Sequence, residues 1–336
     1  ATHCPGSKIM AAIKANAYGH GAVEVASALE NQAHAFGVAS IDEALELRTA
    51  GITKRIVLLG GYYHRDELDL VLEHDLDLVV HQISDIETLL KIHSQHELKL
   101  WFKLETGMHR LGMLPSEVLQ AHKLLSQRGN AQMIVMTHFA QADNLDSEQN
   151  QHQWQTFSQV AAQLQIATSA ANSAIILKWP QFTSDWIRPG IMLYGASPFA
   201  ANEQYFNLQP VMTLSSQVVA IRQVTAQDFV GYAGIYQAQQ TERIATIAVG
   251  YADGYPPTAK VGTPVLIGKE YAKLVGRPCM DMLMVDISHM PQVKLGDRAI
   301  LWGKGLRLET IASWADTIPH TLVTAVKRNR VKLVYI

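Results

Sequence analysis

Eight short apolar runs alternate with amphipathic segments through the first half and more of the chain, and this rhythm constrains the fold more than any other feature. The runs fall at residues 9–14, 35–40, 56–60, 76–81, 98–105, 133–139, 166–172 and 187–194. Each reads as a strand, and the segments between them carry helix punctuation. Ser40-Ile41-Asp42-Glu43 and Ser84-Asp85-Ile86-Glu87 have the form of capping boxes, in which Ser and Glu reciprocally satisfy the free amides of a helix start. Gly51 and Gly129 fall where such helices should stop. Eight strand–helix units within about 200 residues predict a (β/α)8 barrel. A doubly wound open sheet is the alternative, because periodicity does not show closure.

From about Met212 the texture changes. Residues 218–224, 243–249, 263–267, 282–287, 298–301 and 331–336 are short, rich in β-branched side chains and separated by Gly, Pro and Asp. They predict a second, mainly β domain with one helix near 308–314. The expected division is 1–207 for the barrel and 208–336 for the β domain, with a linker at 198–209. A chain of 336 residues, 48% hydrophobic and 17% charged, can bury cores for two domains. The net charge of −2, with acids and bases intermixed, argues against a nucleic-acid surface. No apolar run approaches the roughly 18–20 residues of a membrane span. Two cysteines, Cys4 and Cys279, stand far apart in sequence. That usage predicts no disulfide framework and a reducing, cytoplasmic setting.

In such a barrel the chemistry collects at the C-terminal ends of the strands. There the sequence places Lys14, followed by Ala15-Asn16-Ala17-Tyr18-Gly19-His20-Gly21; Lys103 with Thr106-Gly107-Met108-His109-Arg110; Thr137-His138-Phe139; Asn172-Ser173; and Arg188-Pro189-Gly190-Ile191. Each has a plain reading beside a functional one. Lys14 either snorkels out of a strand end or is desolvated, its amine then available for a Schiff base. Arg110 is either a surface arginine or a fork of donors for a carboxylate. Lys103, inside an apolar strand, needs an acidic partner or neutralisation. His138 is either a satisfied core histidine or part of a site, and Asn172-Ser173 either a turn or a set of donors. Tyr18 and the glycines after it suit a phosphate.

The block Lys14 to Gly21 closely resembles the pyridoxal-phosphate lysine motif of alanine racemases. The resemblance runs in order along nearly the whole chain, through Lys103 to Arg110, Thr137 to Phe139, Asn172-Ser173, Trp186 to Gly195, Gly231-Tyr232, Gly250 to Gly254 and Met280-Asp281. It implies a barrel plus β domain, pyridoxal 5'-phosphate as cofactor, a small amino acid as substrate and a head-to-tail homodimer. It also implies two-base racemisation of L- and D-alanine, supplying D-alanine for peptidoglycan. Lys14 and Tyr232 would be the two bases, Tyr232 coming from the facing subunit. Tyr18, Ser173, Gly190 and Ile191 would hold the phosphate. Arg188 would face the pyridine nitrogen, with Asn172 beside the cofactor. His138 would extend a hydrogen-bond chain from Arg188 toward the tyrosine. Arg110 and the Met280 amide would hold the substrate carboxylate, Tyr251 would line the entrance, and Lys103 would be carbamylated.

The chain departs from the family pattern in three places. Members have a further strand and helix before the Lys14 strand, whose loss is expected to weaken the β domain. Ala233-Gly234 stands where Gly-Ala is usual, and Asn329 precedes Arg330-Val331 where some members have a phosphate-contacting tyrosine. The rival readings are a racemase of broader specificity, a decarboxylase of similar architecture centred near Cys279, and a pyridoxal-phosphate carrier built from a barrel alone. Met280-Asp281 fits racemases better than decarboxylases, and the long β-rich part argues against a carrier.

Overall fold

The structure, a computed structural model, describes residues 3–92, 97–199 and 207–335. The chain forms two compact units, Ala1–Leu193 and Tyr194–Ile336. Much of the expected 198–209 linker lies outside the described residues.

In the first unit, β1 (Lys8–Ala12), β2 (Ala35–Val38), β3 (Arg55–Leu58), β4 (Asp77–Val80), β5 (Leu98–Lys103), β6 (Ala131–Met136), β7 (Ala167–Ser169) and β8 (Trp186–Ile187) pair in sequence order, all parallel. The pairing of β1 with β8 closes the ring, so the barrel stands and the open sheet does not. Inward-pointing side chains fill it: Met10, Val57, Val79, Trp101, Ile134 and Trp186 form one buried cluster. Such layers come from successive strands because side chains alternate across each strand.

A carboxylate lies buried among them. Asp77 accepts hydrogen bonds from Arg55 Nε at 2.5 Å and Trp101 Nε1 at 2.6 Å. Burial pushes its pKa up, while Arg55 and the two hydrogen bonds pull it down. Asp77→Ala is expected to cost about 2–4 kcal/mol, because it strands a guanidinium and an indole N–H together. A thermal unfolding midpoint matching wild type would refute this role.

Both capping boxes are corrected by the structure. Ser40 is the N-cap of the helix Ile41–Thr49, but no side-chain cap bond forms there. Glu43 instead accepts from the amides of Ala39 and Ala15. The second box fails by register: the helix Ile83–Leu90 starts at Gln82, which puts Ser84 inside it. Asp85 there accepts from the amide of His81, from Gln82 Nε2 and from the hydroxyl of Tyr62. Gly129 does end its helix, Pro115–Arg128, in the left-handed region at φ 75°.

The second unit is a closed antiparallel barrel in the order β10-β13-β12-β11-β14-β9. Its strands are β9 (Leu214–Val224), β10 (Glu242–Ile247), β11 (Pro264–Ile267), β12 (Glu270–Val275), β13 (Leu283–Asp286) and β14 (Arg298–Trp302). The strand expected at 331–336 does not form over the residues described there, and β12 was not anticipated. Its solvent-facing glutamate, tyrosine and lysine dilute the apolar signal. The helix Leu308–Trp314 is where it was expected, and a second helix, Pro319–Ala325, follows. Among the described residues no helix is long and apolar enough to cross a membrane. Cys4 and Cys279 are free thiols.

Candidate active site

Past β1 the backbone does something the sequence reading missed. Lys14 is not the last residue of a strand but the first of a tight turn in which Ala15, Asn16, Ala17 and Tyr18 are all left-handed, with φ between 51° and 54°. Cβ crowding makes this cost about 1–2 kcal/mol per residue, so neighbours must hold it. They do. Asn16 Oδ1 accepts from the Ala22 amide at 2.8 Å, the Gly21 amide donates to Asn16 O at 3.0 Å, and Glu43 Oε1 takes the Ala15 amide at 2.6 Å. The Lys14 side chain reaches solvent, yet enough protein surrounds its amine that burial lowers its pKa. Arg110 lowers it further, and Glu43 opposes both.

Beside it lies a group of cations. Arg188, buried at the end of β8, donates to Ser169 Oγ at 2.6 Å, Thr137 O at 2.5 Å and Ala170 O at 3.3 Å, and its Nη2 lies 3.4 Å from His138 Nδ1. Neutral oxygens rather than a carboxylate thus satisfy it. Burial brings its pKa down to about 10, which leaves it charged at neutral pH. Lys103 is pushed well below the ordinary lysine value, by burial first and then by Arg188 and Arg110. His138 is likewise held neutral by burial and the surrounding cations.

The sign for His138 follows from linkage. Its folded pKa lies below the ordinary 6.5, so the unfolded chain binds a proton that the folded chain refuses. The stability it contributes is present above pH 6.5 and lost as pH falls below that value. His138→Asn is expected to flatten the fall in urea-unfolding free energy between about pH 7 and 5. An unchanged slope would exclude His138 as its source.

The residues named for phosphate binding meet around Gly190. Its amide donates to Ser173 Oγ at 2.9 Å, and a Cβ on it would stand 2.8 Å from the Tyr18 hydroxyl. Tyr18 is buried and its pKa is raised to about 12, so the hydroxyl keeps its proton. Asn172 caps the helix Ser173–Lys178 by accepting the Ile175 amide, the plain use of such a residue. Ile191 begins the short 3-10 segment that follows.

Arg110 stands exposed at the end of a loop held by Glu105. That carboxylate accepts the amides of Gly107, Met108 and His109. Gln153, fully buried on the helix Gln149–Leu164, donates to Thr106 Oγ1 at 3.0 Å and His138 O at 3.1 Å, and accepts from the Ala140 amide at 2.9 Å. It ties the loop after β5 to the loop after β6. Neither residue was singled out from sequence. A carboxylate directly before Thr106-Gly107 was a signal for Glu105; Gln153 carried none.

In the second unit, Tyr232 is 71% exposed and opens a 3-10 turn. Ala233 in that turn is left-handed, at φ 61°. Tyr251 lies in a similar turn stitched to the loop that carries Met280: its amide donates to Cys279 O, and that of Ala252 to Met280 O. Arg330 spans both segments, donating to Asp253 Oδ1 at 2.9 Å and Asp281 Oδ1 at 2.6 Å.

Comparison with known proteins gives concordant results. Residues 1–198 match the family of alanine racemase N-terminal domains, and residues 211–335 that of alanine racemase C-terminal domains. The chain is 44% identical over 332 residues to an alanine racemase of Pseudomonas fluorescens, covering 98% of this chain and 92% of that protein. It is also 44% identical to a catabolic alanine racemase of Pseudomonas putida, over 96% of this chain and 91% of that one. Among solved structures, the biosynthetic alanine racemase of Pseudomonas aeruginosa superposes with a TM-score of 0.94 at 38% identity, covering 98% of this chain and 92% of that one. The alanine racemase of Bartonella henselae, solved with covalently bound pyridoxal phosphate, gives 0.90 at 30% identity, over 100% of this chain and 94% of that one. Fold, strand-end cluster and these matches together define a racemase, an enzyme of the isomerase class. The chain belongs to the alanine racemase family.

Proposed function

We propose that the protein interconverts L- and D-alanine by a two-base mechanism, with pyridoxal 5'-phosphate carried on Lys14. The observation that carries this reading is the placement of Lys14: a partly desolvated amine on a rigid turn at the mouth of the barrel, among cations that attract a phosphate. The donor set fits the cofactor. Tyr18 and Ser173 offer hydroxyls, and only glycine at 190 leaves their surroundings open, since a Cβ would crowd the Tyr18 hydroxyl. When bound, the cofactor supplies an electron sink that acidifies the α-hydrogen of an attached amino acid.

The residues of the chain do the rest. Lys14 serves one face of the α-carbon and Tyr232 of the partner subunit the other, one taking a proton while the other returns it. Arg188 keeps its own proton, and would donate a hydrogen bond to a bound ring's nitrogen without protonating it. Neutral His138, 3.4 Å from Arg188, would extend a hydrogen-bond chain from it toward the tyrosine. Arg110 and the Met280 amide orient the substrate carboxylate, and Tyr251 lines the entrance. Tyr232, Met280, Phe229, Ile235 and Met282 are exposed on the second unit, apolar side chains that a second copy of the chain would cover. Burial, Arg188 and Arg110 lower the Lys103 pKa and so favour the neutral amine, the form that adds carbon dioxide and releases a proton to become a carbamate. That anion would then balance Arg110. An intact mass showing a bare amine would remove it.

The deciding experiment adds pyridoxal phosphate to purified protein, then L-alanine in deuterium oxide. A visible band that borohydride fixes to Lys14, deuterium at the α-carbon and appearance of D-alanine are expected. Cofactor bound without exchange would overturn the racemase mechanism and favour a carrier. We place the reaction in the cytoplasm, consistent with two free thiols, and assign it to D-alanine supply for peptidoglycan. The catabolic name of the Pseudomonas putida relative motivates a second reading, consumption of D-alanine. A gene deletion that creates a D-alanine requirement supports supply; loss only of growth on alanine supports consumption.

A further inference from the structure

The geometry points to Glu43 as a positioning residue, whose carboxylate holds the left-handed turn in the conformation that presents Lys14 at the barrel mouth. Glu43 occupies the place of a capping-box glutamate, where it would serve the start of its own helix. It is diverted. Oε1 takes the amide of Ala15, the residue directly after Lys14, at 2.6 Å, and Oε2 takes that of Ala39 at 2.7 Å. One carboxylate therefore ties the chain leaving β1 to the chain leaving β2. The residue it grips is the first of four consecutive left-handed residues, none of them glycine. Strain of that kind persists only where surrounding bonds over-determine it, and this bond comes from outside the turn.

Glu43 has a second, electrostatic effect on the same amine. The charged and titratable groups acting around Lys14 are Arg110 beyond β5, His138 beyond β6 and Glu43. Of these, Glu43 alone favours the ammonium. Its removal should therefore loosen the turn and make the amine easier to deprotonate, two changes that separate readouts resolve.

The inference rests on Lys14 being the cofactor residue, and the experiment keeps the two claims apart. Cofactor-free wild type, Glu43→Gln and the surface control Asp42→Asn are titrated with pyridoxal phosphate by absorbance. Acetylation of Lys14 is followed across pH by peptide mass. Loss of a charge-assisted hydrogen bond predicts about ten- to hundredfold weaker cofactor binding in Glu43→Gln. The midpoint of Lys14 acetylation should move to lower pH, a shift that a merely structural role would not produce. Asp42→Asn should match wild type in both.

The double variant Glu43→Gln/Ala15→Gly guards against misfolding, because glycine enters the left-handed region without strain. It should recover affinity while keeping the shifted midpoint. Wild-type affinity and midpoint in Glu43→Gln overturn the proposal, as does failure of the added glycine to restore affinity. Borohydride fixing the cofactor at another residue in wild type overturns the reading of Lys14, and the proposal with it.

Discussion

Lys14→Ala is expected to abolish racemisation in both directions, by roughly a thousandfold or more, while the protein still folds. In the proposed mechanism the lysine has two duties, anchoring the cofactor and exchanging a proton on one face of the α-carbon, and alanine performs neither. The groups proposed to hold the phosphate, around Tyr18, Ser173 and Gly190, are untouched by the change. Cofactor should therefore still bind, more weakly and without being fixed by borohydride. Added methylamine should restore some of the missing carbonyl chemistry without restoring inversion, since it does not replace a base held in place. Racemisation at the wild-type rate would end the assignment.

Tyr232→Phe is the second large effect, expected at about a hundred- to ten-thousandfold in rate with cofactor affinity nearly unchanged. Two enantiomers have equal free energies in water, so kcat/KM must fall equally in both directions. The asymmetry appears instead in isotope exchange. With Lys14 intact and the phenol gone, one enantiomer should still trade its α-hydrogen for solvent deuterium with retention, while the other exchanges far more slowly. Unchanged rates both ways, or equal exchange from both enantiomers, would refute the role of Tyr232. The wide exposure of this side chain on its own unit argues against a folding defect as a confounder.

The barrel was legible because each strand is a compact apolar run and a glycine such as Gly129 marks a helix end, although neither expected capping box forms. The second unit was partly legible: five of its strands carry β-branched runs, whereas β12 alternates with charged residues and the tail after Arg330 is only compositionally strand-like. Lys14, Arg188 and His138 stood out as polar residues at the ends of apolar runs, and the structure brings Arg188 within 3.4 Å of His138. What sequence did not disclose was conformation and support. Nothing in Ala15-Asn16-Ala17-Tyr18 favours four left-handed residues; bonds from Glu43, Asn16 and Gly21 impose them. Glu43 itself was misread because a local capping pattern and a tertiary bond require the same residue type. Gln153 was invisible because its partners lie on loops that only barrel closure brings within reach.

The cation cluster carries a thermodynamic consequence. Arg188 is satisfied by neutral oxygens, and the carboxylate of Glu105 is engaged by three backbone amides. Among the described residues, only Glu43, acting on Lys14, and Glu105, acting on Lys103, offset the cations in part, so repulsion among Lys14, Lys103, Arg110 and Arg188 persists in the fold. Any ligand that brings negative charge relieves repulsion already built into the fold, so occupancy and stability are linked through one binding polynomial. The heat resistance of this chain is then a property of the anions around it as much as of its core.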